Sequence, residues 1–377
     1  MPRRLALLVL STVVLVAAAV APTASASPRM LKGIYDDANL LYGNPDENYR
    51  TLEQLRTGIV RINLHWGGRW GVAGPTRTVR PWDPNDGQYD WSLYDRAVLY
   101  ATQHRVRVMF SIVSTPSWAN GGRAPNVPPT DMTDLRTFAA AAAQRYSGFF
   151  KRPEDGVVLP GVHHWIAWNE PNNPVFLTPQ YRGNRMVGAE AYAQICNAVV
   201  QGIKAQGYRG KQIACGVTAP RGNNSPRSGR PSVSPVAFLR AMHKAGARGF
   251  DAYAHHPYYN KASETPTTKP RGNAITLANI DVLIKEVTRL YGRKPIWITE
   301  YGYQTSPPRD PWGFAVTFKQ QADYMRQAFQ IAKKHPRIDM FVWFLLRDEP
   351  RLGGWQSGLM TTQGRQKPSY GVFRALR

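Results

Sequence analysis

Short apolar runs rich in β-branched and aromatic residues recur eight times along the chain, and longer stretches with apolar positions at helical spacing separate them. The short runs predict buried β-strands, and the helical spacing predicts amphipathic helices. The predicted strands are 31–35, 59–64, 106–113, 164–168, 213–217, 250–254, 295–299 and 340–345. The predicted helices are 91–104, 133–146, 189–206, 235–244, 276–291 and 318–334, with weaker patterns at 49–56 and 370–376.

The regular alternation of strands and helices determines the predicted fold class. Parallel neighbouring strands need a crossover connection, which is usually a helix, so the alternation indicates a parallel sheet. Eight repeats over residues 27–377 predict a single-domain (β/α)8 TIM barrel of the α/β class. An open doubly wound sheet is the alternative. The stretch after the first strand, GIYDDANLLYGN, is not the glycine-rich phosphate turn typical of that fold.

The stretches that follow strands three, five, six and seven are long, whereas connections that lead into strands are short, such as TGIV and GRKP. Long loops on one side of a barrel are typical of a functional surface. In a TIM barrel that side is the carboxyl edge of the strands. We therefore expect the chemistry of this protein on the loops that follow strands.

The N-terminal segment 1–26 has the layout of a secretory signal peptide. Arg3 and Arg4 form a basic start, residues 5–20 are apolar, and small residues at the end of the segment form a cleavage site. A membrane anchor is the alternative, but the apolar run is short for a bilayer span. We expect a secreted, extracellular protein whose mature domain is 27–377, with no membrane span after cleavage.

The formal net charge of +23 suggests attraction to an anionic polymer, such as an acidic polysaccharide or the cell envelope. A solvated basic surface without a dedicated partner is the simpler interpretation. The sequence contains no recognised nucleic-acid-binding motif, so nucleic acid is not an expected partner.

The two cysteines, Cys196 and Cys215, fall in a predicted helix and a predicted strand. Export permits a disulfide between them, and two separate buried thiols are the alternative, because sequence does not supply the Cα separation. No His/Cys cluster has the spacing of a zinc site, and we expect neither a metal nor an organic cofactor.

Two predicted strands end in a glutamate. The segment HWIAWNEPN places Glu170 at the end of the fourth strand, and KPIWITEYGY places Glu300 at the end of the seventh. In a barrel both would reach the carboxyl edge, where two carboxylates in one cleft suit hydrolysis of a glycosidic bond. Helix caps or salt bridges are the structural alternative for each glutamate, but the equivalent positions of the pair favour a catalytic role.

The motifs WNEPN and ITEYG resemble the two signatures of glycoside hydrolase clan A, and TPSW, NEPN and HPY resemble family 39 and family 5-like bacterial enzymes of that clan. The resemblance extends over the mature chain in its strand order. It implies a retaining mechanism on a (β/α)8 barrel, with Glu170 as acid/base and Glu300 as nucleophile. An acid that works near neutral pH needs a raised pKa, for which burial of Glu170 is the expected cause.

The resemblance also implies substrate-binding positions. Arg61 in VRINL matches the arginine that steadies the nucleophile, and Asn169 matches the asparagine that binds the sugar 2-hydroxyl. His256 and Tyr258 in AHHPYY match an H-x-Y motif, in which the tyrosine donates to the nucleophile and the histidine binds sugar hydroxyls. His255 is the rival for the histidine role, because alternation along the strand decides which ring points inward.

Two tryptophans are candidates for contact with sugar rings. Trp343, on the eighth strand, matches the clan tryptophan that forms the floor of the sugar site, and an ordinary core aromatic is the alternative. Trp118, in TPSWA, lies on a predicted loop, where it would either stack on a sugar or only cap the barrel.

Together these features predict a secreted retaining glycoside hydrolase that cleaves O-glycosidic bonds of a poly- or oligosaccharide by double displacement. An acidic or cell-envelope glycan is among the candidate substrates, and we expect a monomer. The alternatives are an inverting hydrolase, a transglycosidase that uses the same site, and a non-catalytic barrel that binds carbohydrate or an anionic polymer.

Overall fold

A computed structural model describes residues 30–305, 310, 313–351 and 354–377. Eight parallel strands close into a barrel in sequential order, and helices surround it, which confirms the predicted single-domain (β/α)8 fold. The predicted signal peptide, residues 1–26, lies outside the described residues and stays a prediction. Within the described ranges, no helix is long and apolar enough to cross a membrane.

Each predicted strand is present, with bounds that differ by a few residues. The strands are β1 Leu31–Tyr35, β2 Ile59–His65, β3 Arg107–Val113, β4 His164–Ala167, β5 Gln212–Thr218, β6 Ala252–His255, β7 Ile296–Tyr301 and β8 Ile338–Phe344. The helices are α1 Asp37–Tyr42, α2 Pro45–Gln54, α3 Ser92–Gln103, α4 Met132–Arg145, α5 Val187–Ala205, α6 Pro235–Lys244, α7 Ile280–Tyr291, α8 Phe318–Lys334 and α9 Pro368–Ala375. Short 3-10 turns span Ser117–Ala119 and Leu277–Asn279.

Capping residues explain where several helices begin. Asn44 accepts a hydrogen bond from the backbone of α2, and Pro45 occupies the first turn, where its missing N–H has no helical partner. Thr317 and Gln320 form a reciprocal capping box at the start of α8. The sequence did not predict α1, because a helix of six residues is too short to show a helical period.

The hydrophobic core has two layers, one inside the barrel and one between the strands and the helices. Along β8, Met340 and Val342 belong to the inner layer, whereas Phe341 and Trp343 belong to the outer layer. This alternation follows from the two-residue period of a strand. The alternation decides whether each residue of a regular strand faces the barrel interior or the helices.

The carboxyl edge of the barrel contains several non-glycine residues with left-handed backbone. The φ angles are 67° at Ser114, 70° at Trp168, 37° at Glu170, 49° at Val217 and 93° at Leu345. Such conformations cost on the order of 1–3 kcal/mol each and persist only where the surrounding structure holds them. Their concentration at this edge is typical of a functional site and supports the expectation that the chemistry lies there.

Cys196 on α5 and Cys215 on β5 form a disulfide with a Cα–Cα separation of 6.0 Å. The structure thereby decides between the two possibilities that the sequence left open. The bond fixes α5 to the barrel wall directly behind β5, the strand whose loop contributes to the site. It closes a chain segment with a sequence separation of 19.

Replacing both cysteines by alanine is expected to lower the free energy of unfolding by about 3 kcal/mol, because the crosslink reduces the entropy of the unfolded chain. Guanidinium denaturation of the Cys196→Ala/Cys215→Ala variant would measure this loss. Adding a reductant during denaturation is the matched control: it should lower the midpoint of the wild type and leave the variant's midpoint unchanged. Equal midpoints for the variant and the oxidised wild type would contradict the prediction.

Candidate active site

Glu170 reaches the mouth of the barrel through an irregular turn after β4. The strand ends at Ala167, and the left-handed backbone at Trp168 and Glu170 breaks the alternation of side chains. The next turn is held by the fully buried Asn172, whose side-chain oxygen accepts a hydrogen bond from Ala219 N at 2.8 Å. The buried Asn172 side chain therefore anchors the turn that follows the glutamate.

Glu300 reaches the same mouth from β7. The register between β7 and β8 shifts between Ile298 and Tyr301, so strict alternation fails at this point of the strand. As a result, the adjacent residues Thr299 and Glu300 both face the site: Thr299 Oγ1 lies 3.0 Å from a ring nitrogen of His256, and Glu300 lines the cavity in front of it.

The structure brings the two glutamates together. Oxygen atoms of Glu170 and Glu300 and a ring nitrogen of His256 all lie within 4.8 Å of one another. The side chains of the two glutamates are only 12% and 13% exposed. Both carboxyl groups thus open into a common space and are largely shielded from bulk water.

Arg61 lies beneath this pair and is fully buried. Its Nη1 donates to Glu300 Oε2 at 3.0 Å, and its Nη2 donates to Asn169 Oδ1 at 2.5 Å. A guanidinium at this distance stabilises the negative charge of Glu300. Because arginine only donates, Asn169 must present its oxygen to Arg61, which leaves the amide NH2 of this cavity-lining residue as a donor.

His256 lies between the two glutamates, with no side-chain exposure. Burial lowers its pKa to about 3, so the ring is neutral. Its Nε2 is 3.1 Å from Arg61 Nη1 and therefore accepts, which leaves the proton on Nδ1, 3.0 Å from Glu170 Oε1. The neighbouring ring of His255 instead contacts Thr218 Oγ1 and Ile275 O, so alternation selects His256 for the site.

Tyr258 OH donates to Glu300 Oε1 at 2.9 Å, so the expected tyrosine contact is present in the structure. Burial raises the pKa of Tyr258 well above its usual value, which keeps the phenol as a donor. Glu300 thus accepts one hydrogen bond on each oxygen, from Tyr258 and from Arg61. These two contacts fix the rotation of the carboxylate.

Glu170 has a different environment. Burial raises its pKa to about 7, and this effect exceeds the opposing influences of a hydrogen bond from Asn173 and of the charges of Arg61 and Arg221. Asn173 Nδ2 donates to Glu170 Oε2 at 3.2 Å. Near neutral pH this carboxyl is therefore able to hold or release a proton, which is what a general acid/base requires.

A cavity of about 730 Å³ opens in front of the two carboxyl groups, within the size range of small-ligand sites. Aromatic side chains form part of its wall, and two arginines, Arg221 and Arg230, are also in its lining. A second cavity of about 290 Å³ shares Asn169, Val175 and Phe176 with the first. The combined space and the aromatic walls suit a chain of sugar rings.

The two tryptophan candidates lie away from this cavity. Trp343 points to the outer layer, and its indole Nε1 donates to Ser357 O at 2.9 Å, so it is a core aromatic and not the floor of the site. Trp118 packs edge-on against Trp66 and donates to Gly74 O at 3.2 Å. Of the two roles considered for this residue, these contacts fit capping of the barrel. Among the residues that the structure describes, the lining of the cavity includes neither of these tryptophans.

Three further aromatic residues line the cavity, and the sequence pointed to only one of them, Trp355, as a residue suited to stacking on a pyranose ring. Tyr35 ends β1, lines the cavity and lies under the Arg61 guanidinium, 4.4 Å from its ring centroid. Trp355 and Phe344 supply the aromatic wall near β8 that Trp343 does not. The carboxyl-edge rule applied to β1 and β8 would have found Tyr35 and Phe344, whereas Trp355 lies in a stretch without a secondary-structure pattern.

Within the described part of the chain, one group of side chains has the spacing of metal ligands: Glu170, His256 and Glu300. The Arg61 guanidinium already contacts two of them, at 3.1 Å from His256 and 3.0 Å from Glu300. A fixed positive charge at this distance opposes binding of a cation. The donor set therefore fits proton transfer and nucleophilic attack better than metal coordination.

The fold is a closed (β/α)8 barrel, which solved structures of glycoside hydrolases also have. The chain belongs to a family described as a family of unknown function (DUF5722), which matches residues 119–377. The matched region includes both glutamates, whereas Tyr35 and Arg61 precede it. No curated protein matches the sequence.

Solved structures of glycoside hydrolases share the fold at low sequence identity. A family 39 glycoside hydrolase from Bacteroides cellulosilyticus has a TM-score of 0.61 and 18% identity, over 92% of this chain and 62% of its own. A glucosidase from Croceicoccus marinus has a TM-score of 0.64 and 14% identity, over 93% and 67%. A family 39 β-xylosidase from Caulobacter crescentus has a TM-score of 0.58 and 16% identity, over 94% and 72%. The chain thus spans about two thirds of the length of these proteins.

Proposed function

We propose that this protein is a retaining glycoside hydrolase that acts on a poly- or oligosaccharide. The observation that carries the proposal is the pair of carboxyl groups, with oxygens within 4.8 Å, in which burial raises the pKa of Glu170 to about 7 while Arg61 stabilises the charge of Glu300. The structural neighbours described as glucosidase and β-xylosidase support the same reaction class. A carboxyl group that exchanges its proton near neutral pH and a carboxylate paired with a buried guanidinium divide the roles of acid and nucleophile.

In the first step, Glu300 attacks the anomeric carbon, and the bond from that carbon to the glycosidic oxygen breaks. Glu170 gives its proton to the departing oxygen, so the leaving sugar is released as an alcohol. The hydrogen bonds from Tyr258 and Arg61 orient the attacking carboxylate. Asn169 donates its amide N–H to the sugar that becomes covalently bound, because its oxygen already accepts from Arg61.

In the second step, the now ionised Glu170 takes a proton from water, and the resulting hydroxide replaces Glu300 at the anomeric carbon. Two displacements restore the original anomeric configuration. Carboxyl oxygens within 4.8 Å of each other favour this course, because an inverting enzyme leaves about 6.5–9.5 Å between its carboxyl groups for a water molecule. If an acceptor sugar replaces that water, the same site performs transglycosylation.

The direct test is hydrolysis by the mature chain, 27–377, of aryl β-glucosides, β-xylosides and β-galactosides and of polysaccharides. Proton NMR during the first turnovers would record the anomeric configuration of the released sugar. We expect the β-anomer to appear first from a β-glycoside. Initial release of the α-anomer would overturn the retaining mechanism, and sugar binding without turnover on every substrate would favour a non-catalytic barrel. Growth of longer products in the presence of an acceptor sugar would favour a transglycosidase.

We also propose that residues 1–26 direct secretion and are removed, as their basic and apolar pattern suggests. Expression of the full chain in a bacterial host should then yield extracytoplasmic protein whose N-terminus, read by mass spectrometry, begins near Ser27. Retention of the intact N-terminal segment in a membrane fraction would support an anchor instead.

The pH dependence of kcat/KM tests the role of Glu170. Since burial raises the pKa of this carboxyl to about 7, the required proton is present below that pH and is lost above it, and the rate should fall as the pH rises through about 7. The hydrogen bond from Asn173 lowers this pKa, so Asn173→Ala should move the falling limb to higher pH. A limb that moves to lower pH in this variant would contradict the assignment.

A further inference from the structure

The acidic and basic groups of the large cavity do not balance in charge. Glu170 and Glu300 share its lining with Arg221 and Arg230. The buried Arg61 pairs with Glu300, and burial raises the pKa of Glu170 to about 7, so Glu170 is often uncharged near neutral pH. The cavity therefore has an excess of positive charge, which a neutral sugar does not need and an anionic sugar would complement.

Arg221 is the more buried of the two cavity arginines and is held in position. Its Nη2 donates to Tyr258 O at 3.0 Å, and its backbone carbonyl accepts from Asn172 Nδ2 at 3.3 Å. Burial lowers its pKa, and the charges of Glu264 and Glu170 act on it only as longer-range attractions. Within the described residues it forms no ion pair, so this shielded cation keeps donors available for an anionic ligand.

The loop that contains Arg221 is organised before any ligand arrives. Asn223 Oδ1 accepts from the backbone of Ser225 and Ser232, and its Nδ2 donates to Arg230 O at 3.0 Å. Asn224 closes the loop through Ser234 N at 2.7 Å. A loop fixed in this way presents its arginines with little loss of entropy on binding.

The positive surface continues beyond the cavity. Arg221 also lines an adjoining cavity of about 450 Å³ together with Lys261, Lys269 and Arg271. Glu264 is the acidic residue of that lining, and its Oε2 accepts from Asn260 N at 2.7 Å. In the part of the chain that the structure describes, the three basic residues form no ion pair. A continuous basic strip suits several anionic sugars in succession better than one charged group.

We propose that the substrate is an anionic glycan, and that Arg221 binds the carboxylate or sulfate of a sugar on the leaving-group side of the cleaved bond. The position of that sugar rests on the proposed function, in which Glu170 protonates the leaving oxygen, and Arg221 is close enough to Glu170 to influence its ionisation. A uronic acid and a sulfate ester supply the same chemistry, an oxyanion that accepts from the guanidinium N–H groups.

Binding measurements on a catalytically arrested chain test this proposal. The mature Glu300→Gln variant would be titrated calorimetrically with a uronic-acid oligosaccharide, with the same oligosaccharide after reduction of its carboxyl groups to alcohols, and with a sulfated neutral oligosaccharide. We expect an anionic oligosaccharide to bind at least about tenfold more tightly than the reduced one, with a preference that weakens as salt increases. Preference for the sulfated ligand over the uronate would identify sulfate as the source of the anion.

Variants on the same arrested background separate a specific contact from overall charge. Arg221→Gln should remove most of the anion preference, and Arg221→Lys should retain part of it. Arg227→Gln is the matched control, because this exposed arginine lies on the same loop outside the cavity lining and should leave the preference intact. Equal losses in Arg221→Gln and Arg227→Gln would overturn the proposal, as would equal binding of the anionic and reduced oligosaccharides.

Failure of this proposal is distinguishable from failure of the proposed function. Suppose that the wild type hydrolyses neutral glycosides and that the arrested chain shows no preference for anionic ligands. The proposal of an anionic substrate would then be rejected, and the proposed hydrolase function would stand. If the wild type cleaves no glycoside but prefers anionic ligands in a manner that depends on Arg221, the proposed hydrolase function would be rejected, and the proposal of an anionic ligand would stand.

Discussion

Replacing Glu300 by glutamine is expected to lower kcat at least about 10³-fold on every glycoside that the wild type hydrolyses. An amide does not form the covalent bond to the anomeric carbon that the first step requires. The shape of the site should survive, because the glutamine oxygen remains able to accept a hydrogen bond from Tyr258 or Arg61. Initial rates with an aryl glycoside, together with calorimetric binding of a product sugar, would show lost turnover with binding retained.

Chemical rescue makes this prediction specific to a nucleophile. In Glu300→Gly, the space left by the side chain admits azide, which attacks the anomeric carbon in place of the carboxylate. The product should be a glycosyl azide of inverted configuration, identifiable by NMR. Glu190→Gln is the matched control. Glu190, on α5, forms an ion pair with Arg185 and does not line the cavity, so its loss should leave kcat unchanged.

The reverse assignment of the two glutamates has a recognisable result. If azide instead gave the inverted product with a Glu170 variant, the nucleophile would be Glu170 and the acid Glu300. Turnover by Glu300→Gln at a rate near that of the wild type would overturn the proposed mechanism altogether. The geometry opposes both outcomes, because Glu300 and not Glu170 is in direct contact with the buried Arg61.

Arg61 connects the parts of the site, because its guanidinium contacts residues from three other strands or from the segments that follow them. From β2 it reaches Glu300 on β7, Asn169 after β4 and His256 after β6. A buried cation is costly unless it is paired and hydrogen-bonded, so the surrounding groups must stay in register for the barrel to be stable. The stability of the barrel mouth and the placement of the proposed catalytic groups therefore depend on the same side chain.

Much of the fold could be predicted from the sequence because the signal is repeated. Each strand is a short apolar run that faces the barrel interior on one side and the helices on the other, and alternation of strand and helix admits few topologies. The six-residue α1 escaped detection because it completes fewer than two turns. The sequence left the disulfide undecided, because pairing depends on the separation of Cα atoms in space, 6.0 Å here.

Most of the candidate site was predictable because its residues end or follow strands, whereas Arg61, within β2, was identified from the resemblance to a known family. Glu170, Glu300 and Tyr258 follow that rule, and the structure brings them to one cavity. The sequence did not decide the roles of Trp343 and Trp118, because an aromatic residue in a strand or loop has no mark that separates a core position from a binding wall. Strand alternation turns Trp343 outward, and a contact with Trp66 removes Trp118 from the cavity.

Substitution of Glu170 by alanine is expected to have an effect that depends on the leaving group. Glycosides that release a sugar or a weakly acidic phenol need a proton in the first step, so their kcat/KM should fall about 10²–10⁴-fold. Glycosides of strongly acidic phenols leave without that proton, and their kcat/KM should fall much less. Initial rates over a series of aryl glycosides would give the slope of log(kcat/KM) against leaving-group pKa, which should become steeper in the variant.

The same variant connects the pH profile to a particular side chain. Burial raises the pKa of Glu170 to about 7, so the wild-type kcat/KM should fall above that pH, and in Glu170→Ala this limb should disappear because the group that loses its proton is absent. Glu170→Gln keeps the volume and the contact with Asn173 and should behave like alanine in both tests, which excludes a cavity effect. An alkaline limb that persists near pH 7 in both variants would assign that ionisation to another group and remove Glu170 from the role of acid.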